Sequence, residues 1–355
     1  MNLYLTADVV GKPDHGAGSV THNEAKALAE LGPCEVWDRS FIERQGVERN
    51  NEPWGWDNQA SCSRDFFVNP PKLVHFYAGT FSRTVDVLRR NGCKVSYTAA
   101  AHDVAASRKA HEELGVPYNY SHLTDPKLWE RYVRGYLEAD LLICPSRHSA
   151  EVMRGFGAKN KIVVIPHGVE IPGEDKLRPL PKTFTVGYLG NCSAPDKGLR
   201  YLLEAWGKLN YPDAVLKIAG HDSCSPYVQG LVQRFGGGNV HLAGWQSDLA
   251  EFYGSLSLYV QPSVTEGFGI EVLEAMAHGR AVLCSSGAGA ADCMQTQVDV
   301  FPACSTDKLA EAIDSCRRSG IWLVRAGEQN RERVKEFSWD KVRERYKQAW
   351  KELLP

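Results

Sequence analysis

The residues best placed to do chemistry stand in SVTEGFGIEVLEAM, Ser263 to Met276. Gly267 and Gly269 flank Phe268, with Glu266 before them and Glu271 and Glu274 after. The stretch comes after an apolar run, LSLYVQP, and passes into a helical pattern that stops at Gly279. The glycines let the backbone approach a ligand closely. The first N–H groups of the helix, at Ile270 and beyond, lack intrahelical partners and carry partial positive charge. Such a terminus suits a diphosphate or a sugar. Glu266 precedes the helix and Glu274 lies inside it. At about 100° per residue, eight positions turn about 80° beyond two full turns. The two carboxylates therefore need not share a face, and suit separate parts of one elongated ligand. Glu271, between them, reads as a solvated helix position.

Three further stretches have the same character. In TVGYLGNCSAPDKGLRYLLEAW an apolar strand ends at Gly190, Asn191 opens a polar loop, and Lys197-Gly198 start a helix. A compact ammonium at a helix start, beyond a strand end, is a suitable partner for a pyrophosphate. In DVVGKPDHGAGSVTHNEAKALAELG, Gly16 and Gly18 stand between the first strand and the first helix. A doubly wound domain cradles phosphate or sugar there. The pattern is G-x-G-x-x-T, with Thr21 at the third glycine position. Asp38 closes the next strand 20 residues beyond Gly18, as a ribose-binding acid would in a dinucleotide fold. In YTAAAHDVAASRKA, His102-Asp103 comes after a strand of small residues at the same sheet edge. Asp103 either joins the site or caps the segment after it.

These residues need strands that end beside them and helices that begin there. LYLTADVV, CEVWD, KLVHFYA, KVSYTAA, DLLICPS and KIVVIP in the first half read as strands, as do TFTVGYLG, AVLKIAG, NVHLAG, LSLYVQP and AVLCSS in the second. Most are continuous apolar runs, the signature of strands buried on both faces of a parallel sheet. Leu199, Leu202, Leu203 and Trp206 form one helical stripe. With 355 residues the chain is too long for one ordinary core. IPGEDKLRPLPK, with three prolines, separates two β/α series. The expected architecture is α/β: two Rossmann-like, doubly wound domains facing across a cleft. They cover residues 1–170 and 171–336, and a helix over 337–355 crosses back to the first. Neither half is basic, which gives nucleic-acid binding no electrostatic support. No apolar run approaches the roughly 20 residues that span a bilayer. The N-terminus lacks the features of a signal peptide, and the ten cysteines are scattered without a C-x-x-C pair. The expectation is a cytoplasmic protein with free thiols and no zinc site.

The four stretches, in this order, resemble the family-4 retaining glycosyltransferases with the GT-B fold. Glu266 to Glu274 is similar to the family's E-x7-E signature, PDKG at 195–198 to its phosphate-binding lysine turn, and AHD at 101–103 to its first-domain histidine. ADLLICPS followed by KIVVIPHGV is similar to its paired strands ahead of the domain crossing, and FSWDKV to the start of its closing helix. The resemblance implies roles. Glu274 would bond the donor ribose, and Glu266 would face the donor sugar. The amides of Gly267, Phe268, Gly269 and Ile270 would meet sugar hydroxyls or phosphate, and Lys197 would neutralise the diphosphate leaving group. Gly16 and Gly18 would cover the diphosphate from the first domain, His102 would contact the transferred sugar, and LAGWQSDL, with Trp245 and Leu249, would border the base. Family members often carry Arg directly after the glycine that matches Gly190. Asn191 stands there instead, so one cation fewer is expected on the diphosphate, with Arg147, Arg200 or a helix dipole as candidates to compensate.

The implied reaction is transfer of a hexose from a nucleotide diphosphate sugar, a co-substrate and not a resident cofactor, to an acceptor hydroxyl with the anomeric configuration retained. The leaving diphosphate needs positioned donors: Lys197, Asn191 and the helix-start amides. The chain contains no D-x-D, which agrees with metal-independent departure. The leaving phosphate can itself take the acceptor proton, so no dedicated base is named. Three alternatives stand beside it: a nucleotide-sugar epimerase or a phosphorylase on the same fold, an NAD-dependent dehydrogenase built on Gly16, Gly18 and Asp38, and a non-catalytic sugar-nucleotide sensor or assembly partner. The acceptor is a saccharide, glycolipid or small molecule sooner than nucleic acid, and peripheral contact with a membrane stays open. Its site is expected in first-domain loops rich in aromatics, among them Trp54, Trp56, Tyr118, Tyr120 and Trp129.

Overall fold

Uninterrupted apolar runs favour strands covered on both faces, and both halves of the chain use them that way. This computed structural model describes residues 1–6, 16–38, 68–77, 81–120, 123, 125–294 and 299–354. The chain divides into two units. One comprises Met1–Ala101, Asn119–His167 and Trp339–Pro355, the other His102–Tyr118 and Gly168–Ser338.

The first half runs β1 (Asn2–Thr6), α1 (Gly16–Ala29), β2 (Cys34–Trp37), β3 (Leu73–Tyr77), α2 (Ser82–Arg90), β4 (Lys94–Thr98), α3 (Val104–Leu114), α4 (Pro126–Leu137), β5 (Leu141–Cys144), α5 (Arg147–Gly155) and β6 (Lys161–Val164). Its strands form one parallel sheet in the order β2-β1-β3-β4-β5-β6. β1 and β5 are buried along their whole length. Gly16 and Gly18 lie inside the first turn of α1, not in a loop ahead of it. Asp103 caps α3 by accepting the N–H groups of Ala105 and Ala106. Gly115, at φ 65°, ends that helix. Although α3 lies in the first half of the sequence, it packs within the second unit.

The second half runs β7 (Phe184–Leu189), a 3-10 turn (Pro195–Lys197), α6 (Leu199–Leu209), β8 (Ala214–Ala219), α7 (Pro226–Leu231), β9 (Val240–Gly244), α8 (Leu249–Gly254), β10 (Leu258–Gln261), α9 (Ile270–Ala277), β11 (Ala281–Ser285), β12 (Val300–Phe301), α10 (Thr306–Arg318), α11 (Gly320–Arg333) and α12 (Trp339–Lys351). Its sheet is parallel, in the order β12-β11-β10-β7-β8-β9. Strand order reverses between β7 and β10. The connections leaving these two carboxyl ends diverge and leave a crevice. Leu199, Leu202, Leu203 and Trp206 of α6 are buried together against this sheet. Among the described residues, no helix is long and apolar enough to cross a membrane.

The last helix, α12, belongs to the first unit, and a buried polar network seats it there. Glu24 is fully buried. It accepts hydrogen bonds from Tyr4 Oη and Thr98 Oγ1, each at 2.7 Å, and lies 3.3 Å from His75 Nε2. His75 Nδ1 lies 2.8 Å from Ser96 Oγ, which also accepts from Trp350 Nε1 of α12 at 3.0 Å. Burial works against the Glu24 charge, but His75, Thr98 and Tyr4 outweigh it and hold the carboxyl below its usual range. Lys347 bonds Glu30 at 2.6 Å and Arg343 bonds Asn23 at 2.7 Å at the rim.

One close approach positions the crevice of the second unit. Gly198 has φ +73°, and a Cβ built there would lie 2.0 Å from the carbonyl oxygen of Pro262. Val264 N donates to Asp196 O at 2.8 Å. The turn after β7 is thereby clamped to the segment after β10.

Gly198→Ala is accordingly expected to lower the unfolding midpoint of the second unit, at a cost of about 1–3 kcal/mol from backbone strain alone. Gly230→Ala, in α7 with nothing within 4 Å of its Cβ position, is expected to be neutral or stabilising. Thermal melts that rank the two the other way would contradict the clamp. His167 is buried, which pushes its pKa down to about 4 against a weaker opposing effect of Glu24. An unfolded histidine titrates near 6.5, so between these values the unfolded chain binds more protons. Stability is then expected to fall as pH drops from about 6.5 to about 4, by roughly 1.4 kcal/mol per unit. Urea melts across that window should show the slope, and His167→Gln should reduce it.

Candidate active site

The crevice brings together residues 69 positions apart. Lys197 Nζ, from the turn after β7, bonds Glu266 Oε1, from the loop after β10. The two side chains are only 25% and 11% exposed. The second oxygen, Oε2, accepts from Ser263 Oγ at 2.7 Å and from Gln261 Nε2 at 2.9 Å. Gln261 is aligned in turn by Tyr259 Oη, 2.6 Å from its Oε1. Burial disfavours the Glu266 charge, but Lys197, Ser263 and Gln261 outweigh it, and the carboxyl titrates below its usual range. Burial likewise works against the Lys197 ammonium, but Glu266 and then Glu271 raise its pKa. Both groups are therefore charged at neutral pH.

The loop between Glu266 and α9 is held from below. Phe268 is 3% exposed, in the core with Val272 and Ala288. Glu266 N donates to Gly287 O at 2.9 Å, Gly289 N to Glu266 O at 3.1 Å, and Ala290 N to Phe268 O at 2.8 Å. Gly267 is buried in the same loop. Gly269 is the N-cap of α9 at φ +95° and supplies no side chain to the first N–H groups, those of Ile270 and its successors. Glu274, one turn further, is half-buried, and its Oε2 accepts from Tyr253 Oη at 2.8 Å. Burial pushes the Glu274 carboxyl up, with Tyr253 partly opposing. The ring of Tyr253 stacks on His278 at 5.1 Å.

Glu271 is not the solvated position expected. It is half-buried in the first turn of α9. Burial and then the neighbouring Glu266 charge, against a smaller effect of Lys197, push its carboxyl up to about 8. The helix starts against the end of β10, so its first turn lies over the charged cluster instead of facing water.

Asn191 is exposed beyond Gly190. Its Oδ1 lies 3.2 Å from Ser193 N and 2.9 Å from Ser193 Oγ, which leaves its amide NH2 to face outward. Arg200 is committed elsewhere. Its guanidinium bonds Glu204 at 2.7 Å and Glu113 at 3.2 Å, and lies over the rings of Tyr201 and Phe235. Arg147 opens α5 in the first unit. His102 reaches the edge of the second sheet because Asp103 N donates to Thr265 Oγ1 at 2.8 Å, next to Glu266. Glu113, at the other end of α3, accepts from Tyr201 Oη at 3.2 Å. Trp245 is 61% exposed after β9. Leu249 opens α8 and packs partly on the core. Gly16 and Gly18 belong to the first unit.

Motif spacing does not single out Gln261, Ser263, Thr265 or Tyr253. A polar Gln261 closing the apolar run LSLYV is the one signal that could have found them. Of the aromatic loop residues, Trp129 packs edge-on against Phe156 at 4.7 Å and Tyr118 against His111 at 5.0 Å. Tyr120 is 36% exposed. Trp54, Trp56 and the stretch 7–15 ahead of Gly16 lie outside the described residues. Among the described residues no cluster of His, Cys, Asp and Glu is arranged to hold a metal, and every cysteine is a free thiol. Among the described residues of the second unit, the assembled chemistry is one ammonium and a row of helix-start amides able to meet an anion, flanked by carboxylates that can accept from hydroxyls.

Known proteins resemble this chain in sequence and in fold. Residues 183–318 match the family model described as glycosyl transferases group 1, and residues 15–171 match that of glycosyltransferase family 4. An uncharacterized glycosyltransferase of Methanocaldococcus jannaschii is 33% identical over 156 residues, 41% of this chain and 39% of its own length. A phosphatidyl-myo-inositol mannosyltransferase of Mycobacterium tuberculosis is 34% identical over 135 residues, 35% of this chain and 34% of its own. The chain thus spans well under two thirds of the length of these curated relatives. Sucrose-phosphate synthase from Thermosynechococcus elongatus superposes with a TM-score of 0.73 at 18% identity, over 99% of this chain and 98% of that one. An Anabaena protein solved in complex with UDP superposes at 0.71 and 16% identity, over 99% of both. The chain belongs to the group 1, family 4 glycosyltransferases and has their two-domain, Rossmann-like GT-B fold.

Proposed function

We propose that this glycosyltransferase moves a hexose from a nucleotide diphosphate sugar to an acceptor hydroxyl, with retention and without a metal ion. The observation that carries this is the convergence of Lys197 and Glu266 from the ends of β7 and β10, beside the uncapped start of α9. The Anabaena neighbour solved with UDP, also solved with UDP-glucose, supports a donor of this class. Lys197 and the amides of Gly267, Phe268, Gly269 and Ile270 meet the diphosphate, where Asn191 adds a neutral donor. Glu266, already aligned by Ser263 and Gln261, accepts from hydroxyls of the transferred sugar. Glu274 holds the ribose, and Trp245 with Leu249 borders the base. His102 contacts the sugar, and Gly16 and Gly18 cover the diphosphate from the first domain. As the glycosidic bond to the diphosphate breaks, negative charge grows on the leaving oxygen, and Lys197 stabilises it in place without reorganisation. The departing phosphate takes the acceptor proton. The acceptor is a saccharide, glycolipid or small molecule, and the reaction runs in the cytoplasm. A dehydrogenase built on Gly16, Gly18 and Asp38 leaves the Lys197–Glu266 pair without work, and an epimerase needs no acceptor.

A thermal-shift panel of UDP, GDP, ADP and dTDP, each with its sugars, should reveal one preferred donor, and a product assay should show retained anomeric configuration. Lys197→Ala and Glu274→Ala are each expected to weaken nucleoside diphosphate binding about 10- to 100-fold, the loss typical of a charged hydrogen bond. Circular dichroism should show the fold intact. Unchanged binding in both variants would remove this site from consideration.

A further inference from the structure

The charges in the crevice do not balance for an anionic ligand. Among the described residues of the second unit, the one ammonium at the crevice, Lys197, is already matched by Glu266. Arg200 is held by Glu204 and Glu113, and the position after Gly190 is the neutral Asn191. Two more carboxyls, Glu271 and Glu274, lie on α9, and Asp196 lies in the lysine turn. Glu266 has donors on both oxygens, and Glu274 has Tyr253. Glu271 differs from these two: its carboxyl, like that of Asp196, makes no hydrogen bond to another side chain among the described residues. It sits in the first turn of α9, where the N-cap Gly269 supplies no side chain to the first N–H groups and the Glu271 carboxyl meets only its own backbone N–H. A diphosphate drawn to those amides would bring its oxygens beside this carboxyl. An ionised Glu271 would repel them, and a neutral one would offer an O–H.

We propose that the diphosphate of the donor binds together with a proton held on Glu271, whose neutral carboxyl donates a hydrogen bond to a phosphate oxygen in place of a second cation. This rests on the reading of the crevice as a nucleotide diphosphate sugar site. The groups facing Glu271 make the proton the natural partner. From the turn after β7 comes Lys197, with Asp196 beside it, from the loop after β10 Glu266, and from its own helix Glu274. Tyr188 of β7, Tyr259 of β10 and Tyr253 of α8 are buried and neutral, their pKa values raised by burial first. Burial also keeps His278, behind Tyr253, below its usual pKa and so uncharged at neutral pH. Burial and Glu266 already place the Glu271 titration at about 8, so in the free protein most of the group is neutral at pH 7. Bound phosphate raises that value further. Affinity is then greatest below about pH 8 and falls up to tenfold for each unit above it.

Isothermal titration calorimetry with UDP, and with GDP, ADP and dTDP, at pH 7 to 9 in buffers of differing ionisation enthalpy tests this. The wild type is expected to take up about half a proton at pH 8 and to lose about tenfold in affinity between pH 7.5 and 9. Glu271→Gln carries a permanent N–H donor and should flatten that profile and remove the buffer dependence. Glu271→Ala should flatten it too and bind about tenfold more weakly at pH 7. Comparing variants cancels any titration of the nucleotide itself. If the wild type binds but its profile matches that of Glu271→Gln, the proton linkage is overturned while the donor site stands. If the wild type binds none of the four nucleotides at any pH, the donor-site reading falls and this inference with it.

Discussion

The ion pair of Lys197 and Glu266 is the constraint on which the rest of the crevice depends. Two charges this far from water carry a desolvation cost of several kcal/mol each, which only good geometry and further hydrogen bonds offset. The chain meets that condition by converging on one carboxylate. Lys197 takes one oxygen, and Ser263 and Gln261 take the other. The Lys197 contact would not hold if the turn after β7 drifted from the segment after β10. Gly198 against Pro262, and Val264 N on Asp196 O, prevent that drift. The polar residues of the site are thus positioned by backbone contacts that themselves carry no charge.

Sheet topology makes such a meeting feasible. In the order β12-β11-β10-β7-β8-β9, the first strand of the unit lies between its second and its fourth. The two loops that carry the pair leave adjacent strand ends in opposite directions, and the space between them stays open for a ligand. The neighbouring α3 adds residues from an earlier part of the chain. Asp103 N on Thr265, and Glu113 on Arg200 and Tyr201, bring His102 to the same edge. Arg200, whose charge would suit the diphosphate, is used instead to seat that helix.

The first unit treats a buried carboxylate in a parallel way for a different end. Glu24 gathers Tyr4, Thr98 and His75, and the network passes through Ser96 to Trp350 of α12. Its donors come from β1, β3 and β4, so satisfying one charge fixes α1 and, through Ser96, α12 on the same sheet. Around Glu24 every polar contact is internal. Around Glu266 the contacts stop short of Glu271 and of the α9 amides, which leaves capacity for something from outside. That contrast supports the binding role proposed for Glu266.

The sequence by itself determined the parallel α/β architecture, because continuous apolar strands and glycine-punctuated helix starts are local signals that need no knowledge of neighbours. It also singled out Lys197, Glu266 and Glu274, since each stands at or just inside a helix start beyond a strand end. Only the tertiary structure decided what surrounds them. Gln261 and Ser263 look like ordinary strand-end residues until the fold turns them onto Glu266. Arg200 looks available until Glu113 arrives from a different part of the chain. Glu271 looks solvated by helical period alone, because period says which face a residue takes but not what that face meets. The charge state of a carboxylate depends on burial and on groups 70 residues or more away, such as Lys197, and those distances close only when the chain folds.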